Sequence, residues 1–346
     1  MVSNPPSAIA LLRWYRRHRR TMPWRASPGA QPDPYHVWLS EIMLQQTTVG
    51  TVIPYFVRFI EAYPRVTDLA AACDSDILGL WAGLGYYRRA RNLVATARLI
   101  ARRGRFPQSP SELMELPGVG PYTAAAIAAI AFGIPVVPVD GNVERVVARI
   151  YAIETRLPTA RPAITAAASQ LGAQPAAVRH PGDFAQALFD LGATVCTPRN
   201  PSCPGCPWNQ SCSAFALGIA DQLPKKAAKR SREVRYGTAY LLLDPHGRIG
   251  LRRRPPTGLL GGMFELPGSE WTPATPSHEP PVPADWQQAG TIVHAFTHFE
   301  LRLTVNAASI GALPDHLTAA PADIPLPTVM KKAVRLGLSA LEGAVN

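Results

Sequence analysis

Between residue 7 and about residue 216, apolar positions recur every three to four residues, and this spacing predicts a succession of helices. Ser7 is placed to cap a first helix running to about Arg20. Pro34 to Gln46 and Val49 to Ala62 keep the rhythm, as do Asp74 to Leu80 and Tyr86 to Arg103. Pro121 stands where a proline opens a helix, so Tyr122 to Phe132 is expected to be helical. Asn142 to Tyr151 and Asp183 to Leu191 follow, and strand signals are few in this half. After Gly218 the pattern changes. Leu223 to Arg232 reads LPKKAAKRSR, basic and poor in large apolar residues, as a linker is. RYGTAYLLL and GRIGLRRR then flank the turn signal Asp244-Pro245-His246-Gly247. MFELP, GTIVHAF and HFELRLTV read as further strands, Glu270 to Pro283 as an exposed Pro/Thr-rich loop, and VMKKAVRLGLSALE as a closing helix. The chain is therefore read as multidomain: an all-α domain over 1–217, a basic linker over 218–232 and an α+β domain over 233–346. No internal repeat is found.

Composition narrows the class. A chain of 346 residues, 47% hydrophobic and 17% charged, has enough apolar content for sizeable cores. Thirty-five Lys and Arg against 24 Asp and Glu leave a net charge of +11, which favours a polyanionic partner such as nucleic acid over general basicity only when motifs agree. The apolar run Ala8 to Leu12 is short and its Arg cluster follows it, unlike a secretory signal. Thr123 to Val139 is interrupted by Gly133, Pro135 and Pro138, too broken to span a membrane. A cytoplasmic, disulfide-free protein is expected. Cys73 stands alone and reads as a small buried hydrophobe.

Four constellations carry chemistry. In LPGVGPYTA, Gly118 and Gly120 remove side chains and permit positive φ, so that backbone N–H groups ahead of a helix can hold a DNA phosphate. An ordinary helix–helix connection is the plainer reading of Gly-x-Gly alone, but the full string reads as a helix-hairpin-helix, placed at 113–132. Cys196, Cys203, Cys206 and Cys212 contain one Cys-x-x-Cys pair flanked by wider spacings, stiffened by Pro198, Pro201, Pro204 and Pro207. Zinc prefers two such pairs, whereas a four-cysteine cubane iron–sulfur cluster fits the loop 196–212. Glu41 lies in the apolar helix WLSEIMLQQT, where desolvation raises a carboxyl pKa and suits a general acid; a surface glutamate is the bland alternative. Asp140 precedes Gly-Asn-Val and can cap the next helix without losing a catalytic duty. Tyr86 and Tyr87 stand beside Arg88, Arg89 and Arg91, and Gln45 and Gln46 follow Glu41. Such arginines can neutralise phosphates, and a Tyr or Gln can wedge into a base stack, unless the tyrosines simply pack a core.

Together WLSEIMLQQTTVGTVIPYF, WAGLGYYRRARNL, LPGVGPYTA, VDGNVERVVAR and FAQALFDLGATVCTP resemble the helix-hairpin-helix, Gly/Pro…Asp superfamily of DNA glycosylases. The closest match is to its adenine-specific mismatch glycosylases of the MutY type, over nearly the whole chain. The resemblance implies a [4Fe-4S] cluster on the four cysteines and a monomer. It implies duplex DNA with adenine opposite 8-oxoguanine or G as partner, in a bacterial cytoplasm on the nucleoid. It assigns Glu41 the protonation of adenine N7 and Asp140 the stabilisation of the oxocarbenium ion. Tyr122 lies by the reacting sugar, and Asn142 supports Asp140 and water. Arg25 and Gln186 match positions at the adenine edge, though related members carry Glu at the latter. Gln46 and Tyr86 match positions that wedge the helix open near 8-oxoguanine, and Leu84 is placed among the DNA-binding residues. Tyr122 replaces the lysine of endonuclease III-like relatives and cannot form a Schiff base, which implies a monofunctional enzyme.

The C-terminal part resembles this family's Nudix-like domain. GLLGGMFELP matches its strand region, but no acidic Nudix helix follows, so nucleotide hydrolysis is expected to be lost. Phe296, Thr297 and His298 match the loop that inspects 8-oxoguanine, with Thr in place of the common Ser. The competing readings are a catalytically silent damage-binding protein with a redox cluster, a pyrimidine-acting endonuclease III-like enzyme, and a Nudix hydrolase with a helical appendage.

Overall fold

The computed structural model describes residues 5–227, 232–255, 258–296, 298–324 and 326–343. It divides into two compact units, Met1–Ala228 and Lys229–Asn346.

The first unit carries thirteen α-helices among its described residues: α1 (Ala8–His18), α2 (Pro34–Leu44), α3 (Val49–Ala62), α4 (Val66–Ala71), α5 (Asp74–Trp81), α6 (Arg88–Arg103), α7 (Pro110–Met114), α8 (Pro121–Phe132), α9 (Gly141–Ile150), α10 (Arg161–Gly172), α11 (Pro175–Arg179), α12 (Pro181–Thr194) and α13 (Ser213–Ala216). Their starts follow side-chain capping. Ser7, Asp33, Thr48 and Ser109 each accept a backbone N–H one turn into the helix they precede. Two cores form. Trp38, Phe56, Phe59, Trp81 and Ile127 centre the first, under α2 to α8. Leu11, Tyr15, Val147, Phe184, Leu188 and Trp208 centre the second, under α1, α9 to α12 and the cysteine loop. Alanine-rich α8 presents small side chains, so α2 and α12 both pack closely against it.

Several expectations are corrected. The helix predicted to Gln46 stops at Leu44, because Gln46 turns left-handed at φ 59°. The helix predicted from Tyr86 starts at Arg88, and Tyr86 also lies left-handed at φ 49°. Cys73 is exposed at the N-cap of α5, not buried. Part of the predicted linker belongs to the helical unit. Ala220 and Leu223 are buried in its second core, Leu157 N–H donates to the Lys225 carbonyl at 2.8 Å, and Lys225 pairs with Glu154 at 2.6 Å. Residues 228–231 of that linker lie outside the described residues.

The second unit is a mixed sheet of β1 (Glu233–Leu243), β2 (Arg248–Arg253), β3 (Phe264–Glu265), β4 (Gln287–Ala295), β5 (Phe299–Ser309) and β6 (Thr318–Pro321), with α14 (Thr328–Gly343) on one face. The order is β3-β2-β1-β5-β4, with β6 beside β2. β1 and β5 pair in parallel from Glu233↔Phe299 to Leu243↔Ser309, while β1–β2 and β4–β5 are antiparallel. Leu241, Leu303 and Val305 face Met330, Ala333 and Val334 of α14. Among the described residues no helix lies between β3 and β4, and no helix is long and apolar enough to cross a membrane.

Candidate active site

Where the two helical cores meet, a cavity of about 570 Å³ opens, a size suited to a small ligand or a base. Glu41 from α2, Tyr122 from the first turn of α8, Asp140 and Asn142 at the start of α9, Gln186 from α12, and Arg25 and Gln46 from flanking loops all line it. The sequence thus scattered over 160 residues what the fold gathers in one wall. Leu84, Tyr86, Gly118 and Gly120 are not part of that lining.

Glu41 is 7% exposed in the apolar α2. Burial pushes its carboxyl up to about 7; the Tyr122 hydroxyl donates to it and pulls it down, Asp140 raises it, and Arg25 lowers it. Near neutrality the group is therefore divided between acid and carboxylate. Tyr122 responds in kind: burial and the two carboxylates raise its phenol well above the ordinary value, so it stays a neutral donor.

Asp140 is both N-cap and cavity wall. Oδ1 accepts the N–H groups of Asn142 at 2.9 Å and Val143 at 2.7 Å, and Oδ2 accepts Asn142 Nδ2 at 3.0 Å. Burial raises its pKa, and these three donors oppose the rise by stabilising the anion. Asn142 is held in turn by Arg145, whose guanidinium bonds Asn142 Oδ1 at 2.9 Å, the Gly192 carbonyl at 2.7 Å and the Cys196 carbonyl at 2.8 Å. A Cβ on Gly192 would come within 2.8 Å of Asn142 Cβ, so only glycine lets α12 approach α9 this closely.

Arg25 does not reach freely into the cavity. Its fork grips Asp190 at 2.7 and 2.9 Å, and its Nη1 also donates to the Arg20 carbonyl at 3.1 Å. One N–H on Nη2 and that on Nε remain for a ligand. Gln186, 8% exposed, spends Nε2 on the Gly182 carbonyl at 3.2 Å and keeps its Oε1 toward other partners.

The hairpin and the loops beside the cavity form a second set. Gly118 is left-handed at φ 80° and a Cβ there would meet Asn92 at 2.9 Å; Gly120, against expectation, is extended at φ −92° and has open space around it. Gln46 and Tyr86 are both exposed with left-handed backbones that a side chain disfavours. Arg89 does not face phosphates as expected. Its buried guanidinium donates to the carbonyls of Ile42, Met43 and Leu84 and to Thr47, tying the Gln46 and Tyr86 loops together.

The four cysteines line one further cavity, with Val146, Arg149 and Leu191 at its walls. Burial and the other three sulfurs push Cys206 up to about 12. Among the described residues no group of three or more His, Cys, Asp or Glu side chains is placed to hold a single metal ion. Arg149, 1% exposed, donates to the carbonyls of Leu223, Thr197 and Pro198 and to Cys196 Sγ at 3.4 Å. In the second unit, Phe296 packs against Trp271, His294 and Phe299, while His298 is exposed and Thr297 lies outside the described residues.

Sequence reasoning missed Asp190, Arg145 and Arg149. The signal was present: each is a charge set among apolar residues, in ALFDLGA and in VERVVARI.

Residues 39–171 match the family model of the HhH-GPD superfamily of base excision DNA repair proteins, and 238–336 match that of the NUDIX domain. The adenine DNA glycosylase of Mus musculus is 35% identical, covering 88% of this chain and 70% of its own. That of Buchnera aphidicola subsp. Baizongia pistaciae is also 35% identical, covering 74% and 72%. Among solved structures, a thermostable thymine-DNA glycosylase aligns at TM-score 0.53 and 31% identity, over 61% of this chain and 95% of that one. A trapped endonuclease III–DNA covalent intermediate shares the fold at TM-score 0.50 and 22% identity, over 61% and 95%.

Proposed function

The chain belongs to the adenine DNA glycosylase family of the HhH-GPD superfamily, and on that premise we propose that its cavity releases adenine mispaired with 8-oxoguanine or G. The observation that carries this reading is that Glu41 and Asp140 border one cavity, with Tyr122 bonded to the first. Adenine leaves the stack, at a few kcal/mol, and enters the cavity. Glu41, a carboxylic acid with a pKa of about 7, gives its proton to N7 and makes the base a neutral leaving group. The C1′–N9 bond then breaks, and its electron pair goes to the purine. Asp140, whose carboxylate form accepts three N–H donors, faces the cation left on the deoxyribose. Water then adds to C1′ and gives up one proton to a carboxylate bordering the cavity, Asp140 or the now ionised Glu41, which completes hydrolysis. Tyr122 offers no amine, so no Schiff base forms and the strand is not cut.

Gln46 and Tyr86 fit a wedging role, because each is exposed on a left-handed backbone anchored through Arg89. Gly118, with the start of α8, fits a phosphate-holding role without base readout. Cys196, Cys203, Cys206 and Cys212 fit a [4Fe-4S] cluster, since all four line one cavity and a cubane takes one thiolate at each of its four irons. When bound, the cluster supplies a cross-link for the 196–212 loop and a local charge. Phe296, Thr297 and His298 are assigned to 8-oxoguanine, and the protein is read as a monomer acting on duplex DNA.

The test is base release from A, T and G opposite 8-oxoguanine and from A·G. Adenine is expected to leave fastest. Glu41→Gln is expected to keep DNA affinity while release falls by roughly 10²–10⁴-fold. Faster release of thymine, or unchanged release by Glu41→Gln, overturns the reading.

A further inference from the structure

Asp190 is a fully buried carboxylate on α12 that the catalytic sequence above does not use. It accepts four N–H groups: Arg20 Nε at 2.6 Å, Arg20 N at 3.1 Å, and the two ends of the Arg25 fork at 2.7 and 2.9 Å. Burial works to raise its pKa, but the bonds and charges of Arg25 and Arg20 outweigh that and hold it below the ordinary value, so it is an anion throughout the useful range. Arg25, 7% exposed at its side chain, also borders the cavity and acts electrostatically on Glu41.

An unrestrained guanidinium in a low-dielectric cavity moves to the nearest carboxylate and forms a bidentate pair. Here Asp190 grips the Arg25 fork directly, and Glu41 borders the same cavity as Arg25. We propose that Asp190 is a positioning residue which holds the Arg25 guanidinium off Glu41, so that Glu41 keeps its proton for the base. This deepens the functional reading above and rests on Glu41 being the acid.

Two cations line the cavity of Glu41, Arg25 and Arg20, both bonded to Asp190, and of these Arg25 is the one that acts on Glu41. Tyr122 faces it from α8, Asp140 from the start of α9, and Arg25 from the segment before α2; Gln186, on α12, lines the same cavity and is uncharged. Around the clamp, Tyr15, Arg16 and Arg19 on or beside α1, Arg179 and His180 just before α12, and Asp183 on α12 line the neighbouring pocket with Arg25. Arg25 is thus the cation that lowers Glu41, and Asp190 is its strongest partner.

The experiment is single-turnover release of adenine from an A·8-oxoguanine duplex by the full-length protein, from about pH 5 to pH 9, with melting curves for each variant. In Asp190→Asn the alkaline limb is expected about one pH unit lower, because a freed Arg25 pairs with Glu41. Release then falls about tenfold near pH 8 and stays within about twofold near pH 5.5. Arg25→Gln should move the limb the opposite way while weakening substrate binding, and the double variant should follow Arg25→Gln. Asp190→Ser, which leaves room for water around both guanidiniums, is the second variant if Asp190→Asn melts too low, with the same expected limb. A merely structural Asp190 lowers rates equally at every pH. That outcome, or a limb that stays put or rises, overturns the proposal. If Glu41→Gln is inactive while the Asp190→Asn limb is unmoved, the clamp alone fails; if Glu41→Gln still releases adenine, the acid assignment fails and takes the clamp with it.

Discussion

At the scale of single residues, the cavity keeps Glu41 in an unfavourable place. Its pKa is raised from 4.5 to about 7 by burial, so stability from the neutral carboxyl is full below the unfolded value and is lost as pH rises through about 7. Above that window the buried charge destabilises the fold. Glu41→Gln is therefore expected to melt higher than the native protein above pH 7, by up to about 3 kcal/mol, while base release collapses. Thermal unfolding of both proteins at about pH 6 and pH 8 checks this, and an equal or lower melting point at the higher pH would remove the burial argument. Glu41 was legible in the sequence because it is a carboxylate in an apolar helix. Asp190 carries the same mark in ALFDLGA, but its partners Arg20 and Arg25 lie 170 and 165 positions away and nothing local reveals them. Arg25 could not be read as engaged, because its partner is 165 positions away.

At the scale of elements, two devices hold the loops around the cavity. Arg89 donates to five groups, two carbonyls near the end of α2 and three groups in the two wedge loops, and Arg149 stitches three carbonyls around the cysteine segment. Arg149→Leu leaves those acceptors buried without donors and is expected to destabilise the helical unit by roughly 3 kcal/mol or more, read from chemical denaturation. Arg89→Met is expected to leave single-turnover release from a pre-opened site nearly intact, yet to weaken binding of A·8-oxoguanine duplex about tenfold. Binding equal to wild type would mean that the left-handed Gln46 and Tyr86 need no anchor. The long helices were legible through their caps and apolar faces. The short ones were not: α4, α7 and α11 have five or six residues, less than two turns of pattern. α10, RPAITAAASQLG, escaped because its alanines give little contrast between faces.

At the scale of the whole molecule, each unit has its own core, so the catalytic reading can be separated from the lesion reading. A chain ending near residue 228 is expected to release adenine from A·G at close to the native rate. Its preference for A·8-oxoguanine should drop about tenfold or more, worth about 1.4 kcal/mol, in parallel assays on the two duplexes. An unchanged preference would take Phe296, Thr297 and His298 out of lesion recognition. The two-domain plan was legible in the switch from helical to alternating pattern, but the boundary was not, because residues 218–227 look like a basic tether and yet pair with Leu157 and cover a core. Sheet order was also hidden, since strand periodicity does not reveal that β1 lies beside β5.

That neighbour has a consequence for biosynthesis. β1 finds its parallel partner 66 positions later, from Glu233 to Phe299. At ribosomal speeds of about 5–20 residues per second, the newborn strand waits on the order of 3–13 s with one flank open. The early hairpin with β2 shields its other flank meanwhile. Translation pauses between codons 243 and 299 would lengthen that wait and raise the yield of insoluble product, without altering a single side chain of the finished protein.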